Sequence, residues 1–103
     1  MIDVIDFAKS VREIVTAIPV GNVLTYGDVA ALAGCPSHSR MVGKILGRIG
    51  MDSDIPCHRV VNAQGRIAPH WPSQAQLLSA EGVSFRNSSH VDLRKHRWVP
   101  DSI

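Results

Sequence analysis

Long hydrophobic runs are missing from this chain of 103 residues. None approaches the roughly 18–20 apolar residues that a membrane helix needs, so a membrane-spanning helix is excluded. The opening segment carries Asp3 and Asp6 and no cluster of positive charge, which is not the form of a secretory signal. Cysteine is scarce: Cys35 and Cys57, with five histidines, are too few and too scattered for a disulfide framework. A reducing compartment is therefore expected, the cytoplasm or a nucleus. The paired CxxC or HxxxH spacing of a zinc site is also lacking. Cys35, His38, Cys57 and His58 do not supply it, and no metal is expected. Repeats, linkers and low-complexity tracts are absent.

What is present reads as one domain over residues 1–103, with 45% hydrophobic residues, 19% charged and a mean hydropathy of +0.05. Net charge is +2, but it is unevenly spread: −2 up to Gly34 and +4 from Cys35 onward. Eight of the eleven basic residues are arginine, the side chain suited to bidentate contacts with phosphate or base edges. That asymmetry points to a polyanion partner. No apolar stripe is left over for a second copy, and a monomer is expected.

Phe7, Val11, Ile14, Val15 and Ile18 recur at helical spacing, predicting a helix over about 6–18 stopped at Pro19. Val23-Leu24 reads as a short strand. Thr25, followed by an acid at Asp28, has the form of a capping box opening a helix that Gly34 closes. After the Cys35-Pro36 turn, Ser37 is expected to cap a further helix running to about Ile49. Two helices joined so tightly read as a helix-turn-helix over about 25–49. Val60-Val61 reads as a buried strand, Ser73 as the cap of a helix closed by Gly82, and Val83 to Leu93 as a small hairpin before the basic segment 94–97. Trp98 is expected to dock the tail on the core. The fold class is mainly α, a winged helix-turn-helix-like domain with a small β element.

The second helix of that pair has an unusual distribution of side chains. Val42, Ile45, Leu46 and Ile49 share one face, while Arg40, Gly43, Lys44, Gly47 and Arg48 fall near the opposite one, with no acid among them. A solvated face ordinarily mixes charge signs. Gly43 and Gly47 cost roughly 1 kcal/mol each of helix propensity, which suits a surface approached closely by nucleic acid. A basic solvated face is the plainer alternative.

Cys57 stands between Pro56 and His58. A thiol becomes a strong nucleophile as thiolate, which a neighbouring imidazole favours by taking its proton; Glu81 could orient that imidazole in a Cys-His-Glu relay. Taken alone, a Cys-His pair is more often the mark of a buried structural cysteine than of a catalytic one.

The segment Ile55-Pro56-Cys57-His58-Arg59-Val60-Val61 resembles the active-site signature of the O6-alkylguanine-DNA alkyltransferases, the methylated-DNA–protein-cysteine methyltransferases. Further stretches resemble that family in the same order: Ile18-Pro19-Val20-Gly21, Thr25 to Ala30, Ala30 to Gly34, Arg40-Met41-Val42-Gly43 and Ala80-Glu81-Gly82-Val83. The resemblance implies a DNA-repair protein that binds duplex DNA in the minor groove, flips O6-alkylguanine and passes the alkyl group irreversibly to Cys57, without a cofactor. His58, through a water, and Glu81 behind it would activate the thiol. Tyr26 would turn the target's 3′ phosphate and donate to the guanine ring. Arg40 would fill the vacated stack. Thr25, Ser37, Gly43 and Lys44 would join Tyr26 and Arg40 at the DNA, and Leu46, Val60 and Trp71 would line the base pocket, with the carbonyls of Cys57 and Val60 receiving the guanine amino group.

Several positions depart from that pattern. The hinge asparagine expected before the cysteine loop is Ile49, the loop after Gly65 is short, with His70-Trp71 in place of a Tyr-Ser pair, and His38-Ser39 precede the arginine. The family's N-terminal domain has no counterpart in the chain. These features resemble the alkyltransferase-like proteins, single-domain relatives that bind and flip the lesion without chemistry and hand it to nucleotide excision repair. Those relatives usually lack the cysteine that this chain keeps. The readings are thus a single-turnover alkyltransferase, a lesion sensor whose partners are nucleotide excision repair proteins, and a regulatory winged-helix protein of undamaged DNA. The last leaves the Cys57 segment and Glu81 unexplained.

Overall fold

The computed structural model describes residues 3–50 and 53–100. Met51 and Asp52, in a polar stretch over 51–54 that reads as a loop, lie outside them. Among the described residues there are five α-helices and a two-stranded sheet, and no helix is long and apolar enough to cross a membrane.

Helix α1 spans Val4–Ala17. It starts before the hydrophobic periodicity does because Asp3 caps it, its carboxylate accepting from the Ile5 and Asp6 amides. The apolar stripe Phe7, Val11, Ile14 and Val15 is buried. Strand β1, Leu24–Thr25, leads straight into α2, Tyr26–Leu32. The capping box is formed: Thr25 Oγ1 accepts from Asp28 N at 3.0 Å, and Asp28 Oδ2 accepts from Thr25 N at 3.0 Å. Gly34, at φ +87°, takes the left-handed turn that ends α2, its N–H bonding the Ala31 carbonyl.

Helix α3 spans Ser39–Ile49. Its cap position is His38, not Ser37, and no side chain caps it; Ser37 Oγ instead lies 3.1 Å from His38 Nδ1. The neighbouring imidazole competes successfully for the hydroxyl that the sequence offers to the helix. Helices α2 and α3 pack on each other and on α1 as a helix-turn-helix.

Cys57–Arg59 forms a single 3-10 turn leading into β2, Val60–Val61. This strand pairs in parallel with β1, Leu24 beside Val60 and Thr25 beside Val61. The pairing locks the cysteine turn to the strand that leads into Tyr26. Helix α4, Gln74–Ala80, starts after Ser73, which makes no side-chain cap bond, and ends at Glu81. A wing follows, held by the antiparallel bridges Phe85–Val91 and Arg66–His90. Gly65 lets it close down: besides its φ of +88°, an added Cβ there would come within 2.7 Å of the Val91 carbonyl.

The segment read as a basic tail contains a short helix, α5, Leu93–His96. Its end is strapped to the residue before β1, Val23 N donating to His96 O at 2.9 Å and Trp98 N to Val23 O at 2.8 Å. Trp98 packs against the main core. Arg97 completes the strap with a paired contact to Asp28, Nε to Oδ2 at 3.0 Å. Burial alone would raise the Asp28 carboxyl; the bonds from Arg97 and Thr25 outweigh it and hold the group below its ordinary range.

Candidate nucleic-acid interface and base pocket

Three segments distant in sequence meet at a pocket of about 190 Å³. Tyr26 comes from the start of α2; Gly43, Leu46 and Gly47 come from α3, with Gly50 beyond it. The opposite wall is Cys57, Ala68, His70, Trp71 and Gln74. Cys57 is 8% exposed and Trp71 9%, so both form the inner wall, whereas His70 is exposed. Among the described residues no carboxylate lines the pocket. It is an apolar slot with a phenol, a thiol, an imidazole and an amide.

The two helix glycines lie between the faces assigned from the sequence. Both line the pocket with Leu46, yet a Cβ on either would meet nothing within 4 Å. The space is open on the approach to the thiol. A second depression of about 780 Å³ adjoins it, lined by Tyr26, Gly27, Ser39, Arg40, Gly43, Asn62, Ala63 and Gln64. Tyr26 and Gly43 are common to both, so the groove lined by Arg40 is adjacent to the pocket lined by Cys57.

Behind the thiol, Glu81 organises the cluster. His58 Nε2 lies 2.9 Å from Glu81 Oε2, and Arg59 grips both carboxylate oxygens, Nε to Oε1 at 2.9 Å and Nη2 to Oε2 at 2.7 Å. Arg59 Nη1 also donates to the Ile18 carbonyl at 2.8 Å, tying the end of α1 to the end of α4. The Arg59 bonds, then those of His58, hold the Glu81 carboxyl below its ordinary range against the opposing effect of burial. Among the described residues no hydrogen bond joins the Cys57 thiol to His58. Burial pushes that thiol up, outweighing a backbone hydrogen bond and the Arg12 charge that pull the other way. Burial raises Tyr26 too, with Cys57 as a smaller cause, so its phenol remains an O–H donor at neutral pH.

Not every expected residue falls at the site. Thr25 is buried, its Oγ1 accepting the Asp28 N–H in the capping box. Ser37 and Lys44 are exposed but line neither cavity. Val60 is buried in β2 and is not a pocket wall; its carbonyl accepts from Gln74 Nε2 at 3.2 Å. Gln74 went unread in the sequence. It is 1% exposed, donates also to the His58 carbonyl at 3.0 Å, and accepts from Ala68 N at 2.7 Å. One buried amide thus pins the cysteine turn, β2 and the pocket's outer wall. Its only sequence signal was a polar residue on the buried face of α4.

A helix-turn-helix whose second helix flanks a thiol-walled pocket, with a His-Glu-Arg cluster beside the cysteine turn, is the architecture of a DNA-binding domain. Residues 6–83 match the model of the 6-O-methylguanine DNA methyltransferase DNA-binding domain, and the chain belongs to that family. It is 48% identical over 95 residues to the DNA base-flipping protein of Escherichia coli, covering 89% of this chain and 74% of that one. It is 33% identical over 104 residues to alkyltransferase-like protein 1 of Schizosaccharomyces pombe, covering 92% and 96%. Among solved structures, S. pombe Atl1 in complex with damaged DNA containing O6-carboxymethylguanine superposes with a TM-score of 0.87 at 30% identity, covering 96% of this chain and all of that one. Mycobacterium tuberculosis OGT in complex with DNA gives 0.68 at 32% identity, over 74% of this chain and 49% of that one.

Proposed function

We propose that the protein binds duplex DNA with α3 in the minor groove, turns an O6-alkylguanine into the pocket and takes the alkyl carbon onto Cys57. The observation that supports this best is the adjacency of the two cavities, with Arg40 lining one, the thiol lining the other, and Tyr26 and Gly43 shared between them. A stacked base cannot present its O6 substituent in line to a thiol, so extrusion is a physical requirement of the chemistry. Arg40 takes the place of the extruded base and so offsets the loss of stacking. In the transfer, the S–C bond forms and the C–O6 bond breaks with its electron pair left on the base. The thiol proton passes through His58, directly or by a water, and ends on the guanine. Glu81 holds the imidazole by Nε2 and so fixes its orientation. The Tyr26 phenol donates to the ring nitrogen as the base leaves. The thioether is not cleaved again, so one molecule serves one lesion, and no cofactor takes part.

A second reading, recognition without transfer followed by hand-over to nucleotide excision repair, is favoured by the state of the thiol. It is held protonated by burial and is not hydrogen-bonded to His58. The relatives named as base-flipping and alkyltransferase-like proteins also match over nearly the whole of this chain. Both readings require Arg40. Fluorescence anisotropy with duplexes carrying guanine or O6-methylguanine tests this shared step. Wild type is expected to prefer the lesion, and Arg40→Ala to weaken binding to both duplexes. Equal affinity for the two duplexes, or an Arg40→Ala variant that binds like wild type, contradicts it.

A further inference from the structure

Residues 84–100 lie beyond the segment that defines the family, and they carry four basic side chains against one acid, Asp92. Two bridges order part of this region. Phe85 pairs with Val91, which sets Arg86 opposite His90, and Arg86 N donates to His90 O at 3.0 Å. His90 is in turn bridged to Arg66 on its other side. Directly opposed residues of antiparallel strands project from the same face, so Arg66, His90 and Arg86 form one row across the wing. The alternate residues Phe85, Val91 and Ile67 pack inward in the second core cluster, which is the other half of that alternation.

Both arginines of the row are exposed, and neither makes a salt bridge with a described residue. His90 lies between them in the row, so the two guanidiniums stand apart and each can take an outside anion. The position of the row points to which anion that is. Arg86 Nη2 donates to the Gln64 carbonyl at 3.3 Å, and Arg66 N donates to Asn62 Oδ1 at 2.8 Å. Asn62 and Gln64 line the groove that holds Tyr26 and Arg40. The basic row therefore borders the end of the groove facing the turn at 62–65, and among the described residues no acid lines that groove.

We propose that the wing is a second DNA contact, in which Arg66 and Arg86 meet backbone phosphates of the duplex whose minor groove α3 occupies. The row carries no lesion preference, since phosphates are alike beside damaged and undamaged bases. This inference rests on the proposed DNA binding and extends its footprint from the helix-turn-helix to the wing.

The test is the salt dependence of binding to an unmodified duplex and to one carrying O6-methylguanine. Removing one phosphate-neutralising side chain lowers the slope of log affinity against log salt by about 0.9. Arg66→Gln and Arg86→Gln are expected each to lower the slope by about that amount on both duplexes, with the lesion-to-plain affinity ratio unchanged. Arg86→Lys is expected to keep the wild-type slope, and thermal melting checks that the variants remain folded. A wild-type slope in the folded Arg66→Gln and Arg86→Gln proteins, alongside weakened binding by Arg40→Ala, overturns the wing contact and leaves the proposed function standing. A wild-type protein that binds neither duplex overturns both.

Discussion

Glu81 shows how much a single side chain can be asked to do. Its carboxylate holds His58 at one oxygen and Arg59 at both, and through Arg59 it fixes the end of α1. Because pairing depresses the folded-state value of this carboxyl, its stabilising contribution is present above the ordinary value of 4.5 and is lost as pH falls through the depressed value. Glu81→Gln is therefore expected to lower stability at neutral pH by about 1–3 kcal/mol, the usual cost of leaving a buried charged partner unsatisfied. The deficit relative to wild type should shrink below about pH 4.5, as wild type loses the same pairing. Urea unfolding of both proteins from pH 7 to pH 3 measures it, and a deficit constant with pH contradicts the pairing. The contact between His58 and Glu81 was legible in the sequence because a relay of that kind needs a carboxylate. Arg59 was visible as a residue but not as the carboxylate's principal partner. Gln74 was hidden, since nothing in the sequence around a glutamine signals that its amide will be buried against two carbonyls and a backbone N–H.

At the scale of elements, α3 sets local stability against access. Gly43 and Gly47 weaken the helix, and the space around them is open. Gly43→Leu should restore about 1 kcal/mol of helix propensity while filling the approach to the pocket. The expected result is a higher melting temperature together with weaker binding to both duplexes in anisotropy. A more stable variant with undiminished affinity would mean that nothing approaches that face closely. The helix-turn-helix, the capping box and the buried strand at 60–61 were all readable, because periodicity, a Thr-Asp spacing and paired β-branched residues are local signals. The start of α3 was misread, since Ser37 and His38 satisfy each other rather than the helix. Helix α5 was missed because four residues have no period to read, and it is held by contacts to Val23 and the turn before it, distant in sequence.

The molecule as a whole is arranged around one pairing, β1 with β2, which binds the strand before Tyr26 to the strand after Cys57. The C-terminal segment then straps Val23, the residue before β1, with Arg97 on Asp28 bracing the start of the helix that Tyr26 opens. Long-range pairings of this kind leave little trace in a sequence. The charge asymmetry did register the basic character of the second half, but not its division between α3 and the wing. At this scale the central question is whether the pocket performs transfer or only receives the base. Incubating the protein with a duplex bearing one O6-methylguanine, then measuring intact and peptide mass, answers it most directly. The expected result is the added mass of one methylene at stoichiometric yield, located on the Cys57 peptide and absent from that of Cys35. No added mass on Cys57, with lesion-selective binding intact, would contradict transfer and make the pocket a reader of damage alone.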